Sequence, residues 1–204
     1  TRADAVSEKV VFQDDFNQAD SIPDRNKWSL CKKGSPAWSK YLSESYDQAY
    51  VHDGKLVLVA EKVNGVYKTG GVQSLGKAEF QYGKIEICAR FTKTMMPAKP
   101  VYSGWPACGE IDIMEQLNHD DIVYQTIHSH YKNDLGFTKP VPTKTVSYNK
   151  GQFNIFGIEW TPEALTFKVN GATTLVYPNL HLADESVKKQ WPFDTSFYFF
   201  LNYA

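Results

Sequence analysis

The stretch Trp105-Pro-Ala-Cys-Gly-Glu-Ile-Asp-Ile-Met-Glu115 decides the predicted fold class and chemistry of this chain. Its acidic and apolar residues alternate, and successive side chains of a β-strand point to opposite faces of a sheet. The pattern therefore predicts a strand with its isoleucines in the core and with Glu110 and Asp112 on the other face.

The third acid of this stretch, Glu115, needs one irregularity to join the other two. Strict alternation places it on the core face, with the isoleucines. A β-bulge, in which one extra residue is inserted at Ile113 or Met114, reverses the alternation. We therefore predict a bulged strand that presents all three carboxylates on one face.

Short runs rich in Val, Ile, Phe and Tyr, bounded by Gly, Pro, Asn or Asp, recur along the chain. They predict many short strands, and turns at Asp53-Gly54 and Asn170-Gly171 favour antiparallel pairing. The predicted fold is all-β: a β-sandwich of jelly-roll type with a concave substrate cleft, in a single domain of residues 1–204. The predicted strands are Val10 to Phe12, Lys55 to Glu61, Tyr67 to Ser74, Phe80 to Phe91, Gly109 to Glu115, Ile122 to His130, Asn154 to Trp160, Leu165 to Val169 and Phe197 to Asn202.

Composition argues against several classes of partner. The chain has 22 basic and 23 acidic residues without a long run of either sign, so nucleic acid is not an expected partner. No window approaches the ~20 apolar residues of a membrane span. Cys31, Cys88 and Cys108 allow at most one disulfide and leave the redox compartment open. The aromatic content of 14% fits either a packed core or a cleft in which sugar rings stack on aromatic side chains.

Three carboxylates in a row beside Trp105 predict glycosidase chemistry. A retaining glycosidase needs one ionised carboxylate to attack the anomeric carbon and one protonated carboxyl to donate to the leaving oxygen, about 5 to 5.5 Å apart. Asp112, between the two glutamates, could hydrogen-bond the nucleophile and hold the two pKa values apart. An acidic edge strand that faces water fits the spacing equally well, but the tryptophan and Gly109 favour catalysis.

The next predicted strand, Ile122 to His130, contributes two histidines that could meet these acids. Alternation puts both on one face, where His128 could bind a sugar hydroxyl or a catalytic acid. A surface or core histidine is the simpler interpretation. His128-Ser-His130 also resembles the metal-binding pair of cupins, but that pattern calls for a glutamate about four residues on, where this chain has Asn133 and Asp134.

Motifs along nearly the whole chain resemble glycoside hydrolase family 16, in particular its bulged laminarinase-like branch. The acidic motif is highly specific in that context. The motifs occur in the family's order: Asp14-Asp-Phe-Asn17, Trp28, Tyr82-Gly-Lys-Ile-Glu86, Gly104 to Glu115, Thr126-Ile-His128, Phe156-Gly-Ile-Glu-Trp160 and Gln190-Trp-Pro-Phe-Asp194.

This resemblance implies roles for individual residues. Glu110 resembles the nucleophile, Asp112 its helper and Glu115 the acid/base, in agreement with the prediction from spacing. Substrate-binding roles are implied for four further residues: Trp105 as a sugar platform on the donor side, His128 near the cleavage point, Trp38 and Asn202.

The resemblance also implies a substrate class. A Gly-Trp-Pro-Ala-Cys-Gly segment before the acids is typical of endo-enzymes that cut β-1,3-glucan or mixed-linkage β-1,3-1,4-glucan. Agar and carrageenan hydrolases of the same family are the alternative. We expect a monomer that acts on a polysaccharide without a catalytic cofactor, with a structural calcium ion near Asp15 and Gly54 as a further expectation. Because such polymers are too large to enter cells, the expected location is secreted, periplasmic or at the cell surface.

Two departures from the family pattern lead to a second hypothesis. Between Phe91 and Trp105 the family has a longer segment with a strand and cleft tryptophans, whereas here Thr92-Lys-Thr94 runs directly into Met95-Met-Pro97. The chain also stops at Leu201-Asn-Tyr-Ala204, where relatives continue into a final strand. We therefore expect one internal strand, near residues 94–95, and the C-terminal strand to be missing. A non-catalytic carbohydrate-binding protein derived from the family is accordingly the second hypothesis.

Overall fold

The computed structural model describes residues 8–90, 93–97, 104–118, 120–184 and 189–203. Within these ranges, regular structure consists of short strands and one four-residue helix, α1 (His130–Asn133). No helix of these ranges is long and apolar enough to cross a membrane. The strands are β1 (Ser29–Leu30), β2 (Ala49–His52), β3 (Lys55–Leu58), β4 (Ala60–Val63), β5 (Val66–Thr69), β6 (Gly71–Gln73), β7 (Gly83–Ala89), β8 (Lys93–Pro97), β9 (Glu110–Glu115), β10 (Ile122–His128), β11 (Thr143–Ser147), β12 (Asn154–Trp160), β13 (Ala164–Val169), β14 (Ala172–Pro178) and β15 (Phe200–Asn202).

The strands form two main antiparallel sheets. The large sheet has seven strands in the order β1-β6-β15-β8-β9-β10-β11, and the small sheet has four in the order β14-β13-β12-β7. Two further pairs, β2 with β3 and β4 with β5, form separate two-stranded sheets. β9 therefore lies inside the large sheet, with a hydrogen-bonded neighbour on each side.

One hydrophobic cluster joins residues of both main sheets. It contains Ile111 and Ile127 from the large sheet and Ile158 and Phe167 from the small one, all at most 1% exposed. Each such side chain contributes roughly 1.5–3 kcal/mol by leaving water. The predicted all-β sandwich is confirmed. The face of the large sheet opposite this cluster is called the outer face below.

β9 carries the predicted bulge. On β10, Tyr124 pairs with Glu115 and Thr126 pairs with Asp112, so two steps on β10 match three steps on β9. The pairing of β9 with β8 shifts at the same place. Ile113 and Met114, which lie between Asp112 and Glu115, both belong to the core cluster. One extra core-facing residue thus returns Glu115 to the outer face, as predicted.

The large sheet is continuous on both sides of β8. This strand pairs with β15 on one side and with β9 on the other. Lys93–Pro97 thus occupies the position between β15 and β9. The predicted loss of an internal strand near residues 94–95, relative to the family, stays a prediction. The predicted absence of a C-terminal strand concerns chain beyond residue 204 and stays a prediction.

Several predicted strands differ in the structure. The predicted strand Lys55 to Glu61 is divided between β3 and β4, and Tyr67 to Ser74 is divided between β5 and β6. Val10 to Phe12 forms no strand, and Phe12 instead packs edge-on against Trp28 with ring centroids 5.6 Å apart. The strand predicted to reach His130 ends two residues earlier. The reason is that the Ser129 hydroxyl accepts the N–H of Lys132 at 3.2 Å and caps α1.

Gly109 connects a tight turn to the start of β9. In that turn the N–H of Cys108 donates to the carbonyl of Gly104 at 2.9 Å. Gly109 has a φ of +81°, a conformation that residues with a Cβ rarely adopt. A Cβ atom there would lie 2.7 Å from Cγ of Pro192 and 3.1 Å from a ring carbon of Phe193. Both the conformation and the close packing therefore require glycine.

Replacing Gly109 by alanine should lower the free energy of unfolding by about 2–4 kcal/mol, because strain and steric overlap act together. Gly151→Ala is the matched control, since its φ is +74° but no atom lies within 4 Å of the added Cβ. It should cost only about 1 kcal/mol. Urea unfolding of both variants measures the difference, and equal losses would contradict a role for the packing.

Candidate active site

Glu110 begins β9 on the outer face and is only 7% exposed. The indole N–H of Trp105 donates to its Oε2 at 2.6 Å. A hydrogen bond to a carboxylate is stronger than one between neutral groups, so it fixes the orientation of this side chain. The Trp105 residue itself is 60% exposed. An accessible aromatic ring is thus hydrogen-bonded to a buried carboxyl group.

Asp112 is buried on the same face and contacts His128. On β10, His128 pairs with Glu110 across the two strands. Its Nε2 lies 3.1 Å from Oδ2 of Asp112, and its ring centroid lies 5.7 Å from that of Trp105. The structure therefore brings His128 together with two of the predicted acids and with the predicted sugar platform.

The hydrogen-bond donors around His128 determine its tautomer. Its Nδ1 lies 3.0 Å from Nδ2 of Asn133 and 3.3 Å from Nζ of Lys132. The amide of Asn133 is oriented because its Oδ1 accepts the N–H of Ser129 at 3.2 Å. Both partners of Nδ1 are donors, so the ring proton is on Nε2, where it is donated to Asp112. Burial also lowers the pKa of His128, which keeps the ring neutral.

Glu110 and Asp112 occupy a site that disfavours two negative charges. Burial, followed by the charge of Asp112, raises the pKa of Glu110 from its ordinary value of 4.5 to about 7. The N–H of Trp105 acts in the opposite direction, because it stabilises the ionised carboxylate. The site therefore favours the protonated form of the Glu110 carboxyl at a pH where an exposed glutamate is ionised.

Glu115 ends β9 on the same face in a more accessible position. It is half-buried, whereas Glu110 and Asp112 are buried. Burial lowers the pKa of Lys132. The charges of all three acids act in the opposite direction, so its ammonium group lies near each of them. The three acids therefore share one neighbouring cation that offsets part of their negative charge.

Lys132 and Asn133 were not predicted as site residues. Both lie on α1, which the sequence prediction treated as the end of a strand and a loop. The signal that could have found them is Ser129, because a serine is a preferred helix N-cap and its position places the first turn of a helix directly after His128.

Trp38 and Asn202, two predicted substrate-binding residues, both lie near β15. Phe200 and Asn202 share the outer face of β15, since Leu201 between them belongs to the core cluster. Trp38 is half-buried and packs edge-on against Phe200, with ring centroids 5.3 Å apart. Asn202 is fully buried, and neither polar atom of its side chain has a hydrogen-bond partner among the described residues. A role of either residue in binding substrate stays a prediction.

The cupin-like histidine pair does not converge on one site. His130 lies on α1, where its Nδ1 is 2.7 Å from Oδ2 of Asp134, whereas His128 faces Asp112. In the part of the chain that the structure describes, no three His, Cys, Asp or Glu side chains are grouped to hold a metal ion. The proposed pairing of the two histidines is therefore not supported.

The expected calcium site and the cysteines lie outside this cluster. Asp15 is exposed and accepts a hydrogen bond from Gln13 at 2.6 Å. Calcium binding by Asp15 and the Gly54 carbonyl stays a prediction. All three cysteines are free thiols: Cys31 and Cys108 are buried, and Cys88 is exposed.

Comparison with known proteins shows which family this chain resembles. Residues 38–200 match the family model of the glycosyl hydrolases family 16. The keratan-sulfate endo-1,4-beta-galactosidase of Sphingobacterium multivorum is 34% identical over 96% of this chain and 49% of the relative. The chain thus spans about half the length of that protein. The beta-glucanase of Rhodothermus marinus is 30% identical over 96% of this chain and 75% of the relative.

A solved structure extends the similarity to three dimensions. It comes from work on endo-acting O-glycanases that prominent members of the human gut microbiota express to initiate mucin breakdown. It aligns with a TM-score of 0.83 and 31% identity, covering 95% of this chain and 85% of the other. The similarity of the fold therefore extends over nearly the whole chain.

Replacing Glu110 by glutamine should stabilise the protein at alkaline pH. The pKa of Glu110 is raised from 4.5 to about 7 on folding, so the folded state holds a proton that the unfolded state releases between these values. Stability contributed by the protonated carboxyl is therefore lost as pH rises through about 7. A neutral amide avoids this loss, on the order of 1–3 kcal/mol, since one pKa unit corresponds to about 1.4 kcal/mol.

Urea unfolding of both proteins at pH 4.5 and at pH 8 tests this expectation. Glu110→Gln should exceed the wild type at pH 8 and differ little from it at pH 4.5. Glu163→Gln is the control, because this glutamate is exposed and bound to His181 at 2.7 Å. A stability difference that is independent of pH would contradict the assigned cause.

Proposed function

The chain belongs to family 16 of the glycosyl hydrolases, and we propose that it is a retaining, endo-acting β-glycosidase. In this proposal Glu110 is the nucleophile, Asp112 its helper and Glu115 the acid/base. The observation that best supports it is the bulge of β9, which sets three acids on one face beside the exposed ring of Trp105. A strand that served only solubility would not bury two of these acids.

The proposed reaction proceeds in two displacements at one carbon atom. The ionised carboxylate of Glu110 attacks the anomeric carbon while Glu115 donates its proton to the leaving glycosidic oxygen. An ester between Glu110 and the sugar results. Glu115, now ionised, then takes a proton from water, and the oxygen of that water attacks the same carbon and releases Glu110. Two inversions retain the configuration.

The exposure of the two glutamates supports this division of roles. An acid/base exchanges protons in every cycle, which suits the half-buried Glu115. A nucleophile needs a fixed orientation, which the N–H of Trp105 gives to the buried Glu110. Glu110 must also be ionised when it attacks, and the proposal assigns its proton at that moment to the neighbouring Asp112. His128 holds Asp112 in place through Oδ2.

Trp105 links sugar binding to the nucleophile. The apolar face of a pyranose ring stacks on an exposed aromatic ring. Because the same indole donates its N–H to Glu110, a sugar on this platform lies next to the attacking carboxylate. This arrangement supports a donor-side subsite at Trp105.

We propose glycans of the keratan-sulfate or mucin type as the first substrate class. The relative that acts on keratan sulfate and the O-glycanase structure share more sequence identity with this chain than the beta-glucanase does. β-1,3-glucan or mixed-linkage β-1,3-1,4-glucan is the second class, supported by the beta-glucanase. Since all of these are large glycans, we propose a location outside the cytoplasm.

Release of reducing ends from keratan sulfate, mucin, laminarin, barley mixed-linkage glucan and agarose tests both substrate classes together. We expect release from at least one glycan, with a loss of about 10²–10⁴-fold in Glu115→Ala and at least as large a loss in Glu110→Ala. On a 2,4-dinitrophenyl β-glycoside, whose leaving group needs no proton, azide should restore turnover in both variants. It should yield a β-glycosyl azide with Glu115→Ala and an α-glycosyl azide with Glu110→Ala.

The exposed Glu163 provides the control, because Glu163→Ala should leave product release unchanged. Unchanged release by folded Glu110→Ala would contradict the proposed nucleophile. Retention of folded wild-type protein on a glycan affinity gel, with no product from any glycan, would instead favour a non-catalytic binding protein.

A further inference from the structure

Gln125 of β10 is fully buried where the bulge of β9 meets the core. Its neighbour Thr126 pairs with Asp112, whose side chain lies on the outer face, so Gln125 points the opposite way, into the sandwich. On β9 it faces the two residues of the bulge, Ile113 and Met114. A polar side chain in this position needs hydrogen-bond partners inside the core.

The amide of Gln125 finds partners in both sheets. Its Nε2 donates to the carbonyl of Ile113 at 3.0 Å, within the bulge, and to the carbonyl of Lys168 on β13 at 3.3 Å. Its Oε1 accepts from the hydroxyl of Thr174 on β14. Both N–H groups and the carbonyl oxygen are thereby used. These bonds also fix the orientation of the amide, because carbonyl groups accept and the hydroxyl can donate.

The small sheet is irregular at the same place. Phe167 pairs with Leu175, but the next residue, Lys168, pairs with Thr173. Thr174 is therefore the extra residue of a second bulge, on β14. One glutamine thus bonds to residues at two bulges that face each other across the core.

We propose that Gln125 is a positioning residue for Glu115, an inference that rests on the proposed function. A bulge disrupts the regular ladder, and the buried carbonyl of Ile113 gains from Gln125 a donor that an apolar residue could not supply. Without the bulge, regular alternation turns Glu115 from the outer face toward the core. Gln125 therefore holds the acid/base on the face where Glu110 and Asp112 lie.

Gln125→Met tests this inference, because methionine keeps the length of the side chain and removes its hydrogen bonds. Gln190→Met is the matched control. Gln190 is also buried. Among the described residues its amide bonds only to the backbone of Pro178, the last residue of β14, and of Leu180. Thr174→Val is a milder second variant that removes the hydroxyl, which contacts Oε1 of Gln125 and the carbonyl of Phe167 at 3.1 Å, and leaves both N–H bonds of Gln125 in place.

The readout is kcat/KM on two kinds of substrate. One is the glycan that the wild type cleaves best, whose leaving oxygen needs a proton. The other is a pair of 2,4-dinitrophenyl disaccharides that end in β-linked galactose or glucose, whose leaving group needs none. We expect Gln125→Met to lose about 100-fold on the glycan, since small displacements of a catalytic group have effects of this size, and under about threefold on the aryl substrate. Thr174→Val should show the same pattern with about a tenfold loss on the glycan.

Equal losses on both substrates, matching those of Gln190→Met at the same loss of thermal stability, would overturn the inference. A crystal structure of Gln125→Met provides a readout that does not depend on activity. Glu115 turned away from the outer face supports the inference, and an unchanged bulge with Glu115 in place overturns it. Wild-type protein that cleaves neither glycan nor aryl substrate refutes the proposed function, whereas this crystallographic result still decides the positioning role.

Discussion

The site depends on a single extra residue in β9. Because side chains alternate along a strand, one inserted residue decides whether Glu115 faces the core or joins Glu110 and Asp112. The insertion interrupts the ladder, so a carbonyl at the bulge is bonded from within the sandwich. The amide of Gln125 supplies that bond and also reaches the small sheet. The geometry of the acids is therefore linked to the packing of the whole core.

The second constraint is electrostatic. Two buried carboxyl groups side by side cannot both ionise without cost, and this raises the pKa of Glu110 to about 7. The N–H of Trp105 and the Nε2–H of His128 each bind one of the two carboxyls. Lys132 adds a positive charge beside Nδ1 of His128, on the side of the ring away from Asp112. The fold thus surrounds the acids with donors whose positions are set before any substrate arrives.

The sequence predicted the features that follow from the pattern of residues within one segment. It missed the features that depend on contacts between different strands. The alternation in residues 110–113 predicted the strand and the shared face of Glu110 and Asp112. The break in alternation before Glu115 predicted the bulge. The end of β10 was misplaced because the N-cap signal of Ser129 was not weighed. The role of Gln125 depends on pairing across two sheets, which no periodicity within one strand contains. β8 was missed because its segment, Lys93–Pro97, is short and lacks alternation.

The most direct test of the central claim is mass spectrometry after incubation with a 2,4-dinitrophenyl 2-deoxy-2-fluoro β-glycoside ending in the preferred sugar. The fluorine slows both displacements and the dinitrophenolate leaves readily, so the covalent ester accumulates. The account predicts one sugar on the peptide that contains residues 110–115, located on Glu110 by fragmentation and absent from Glu110→Ala. A sugar on Glu115, or none on any acid of β9 in a protein that turns over glycan, would contradict it.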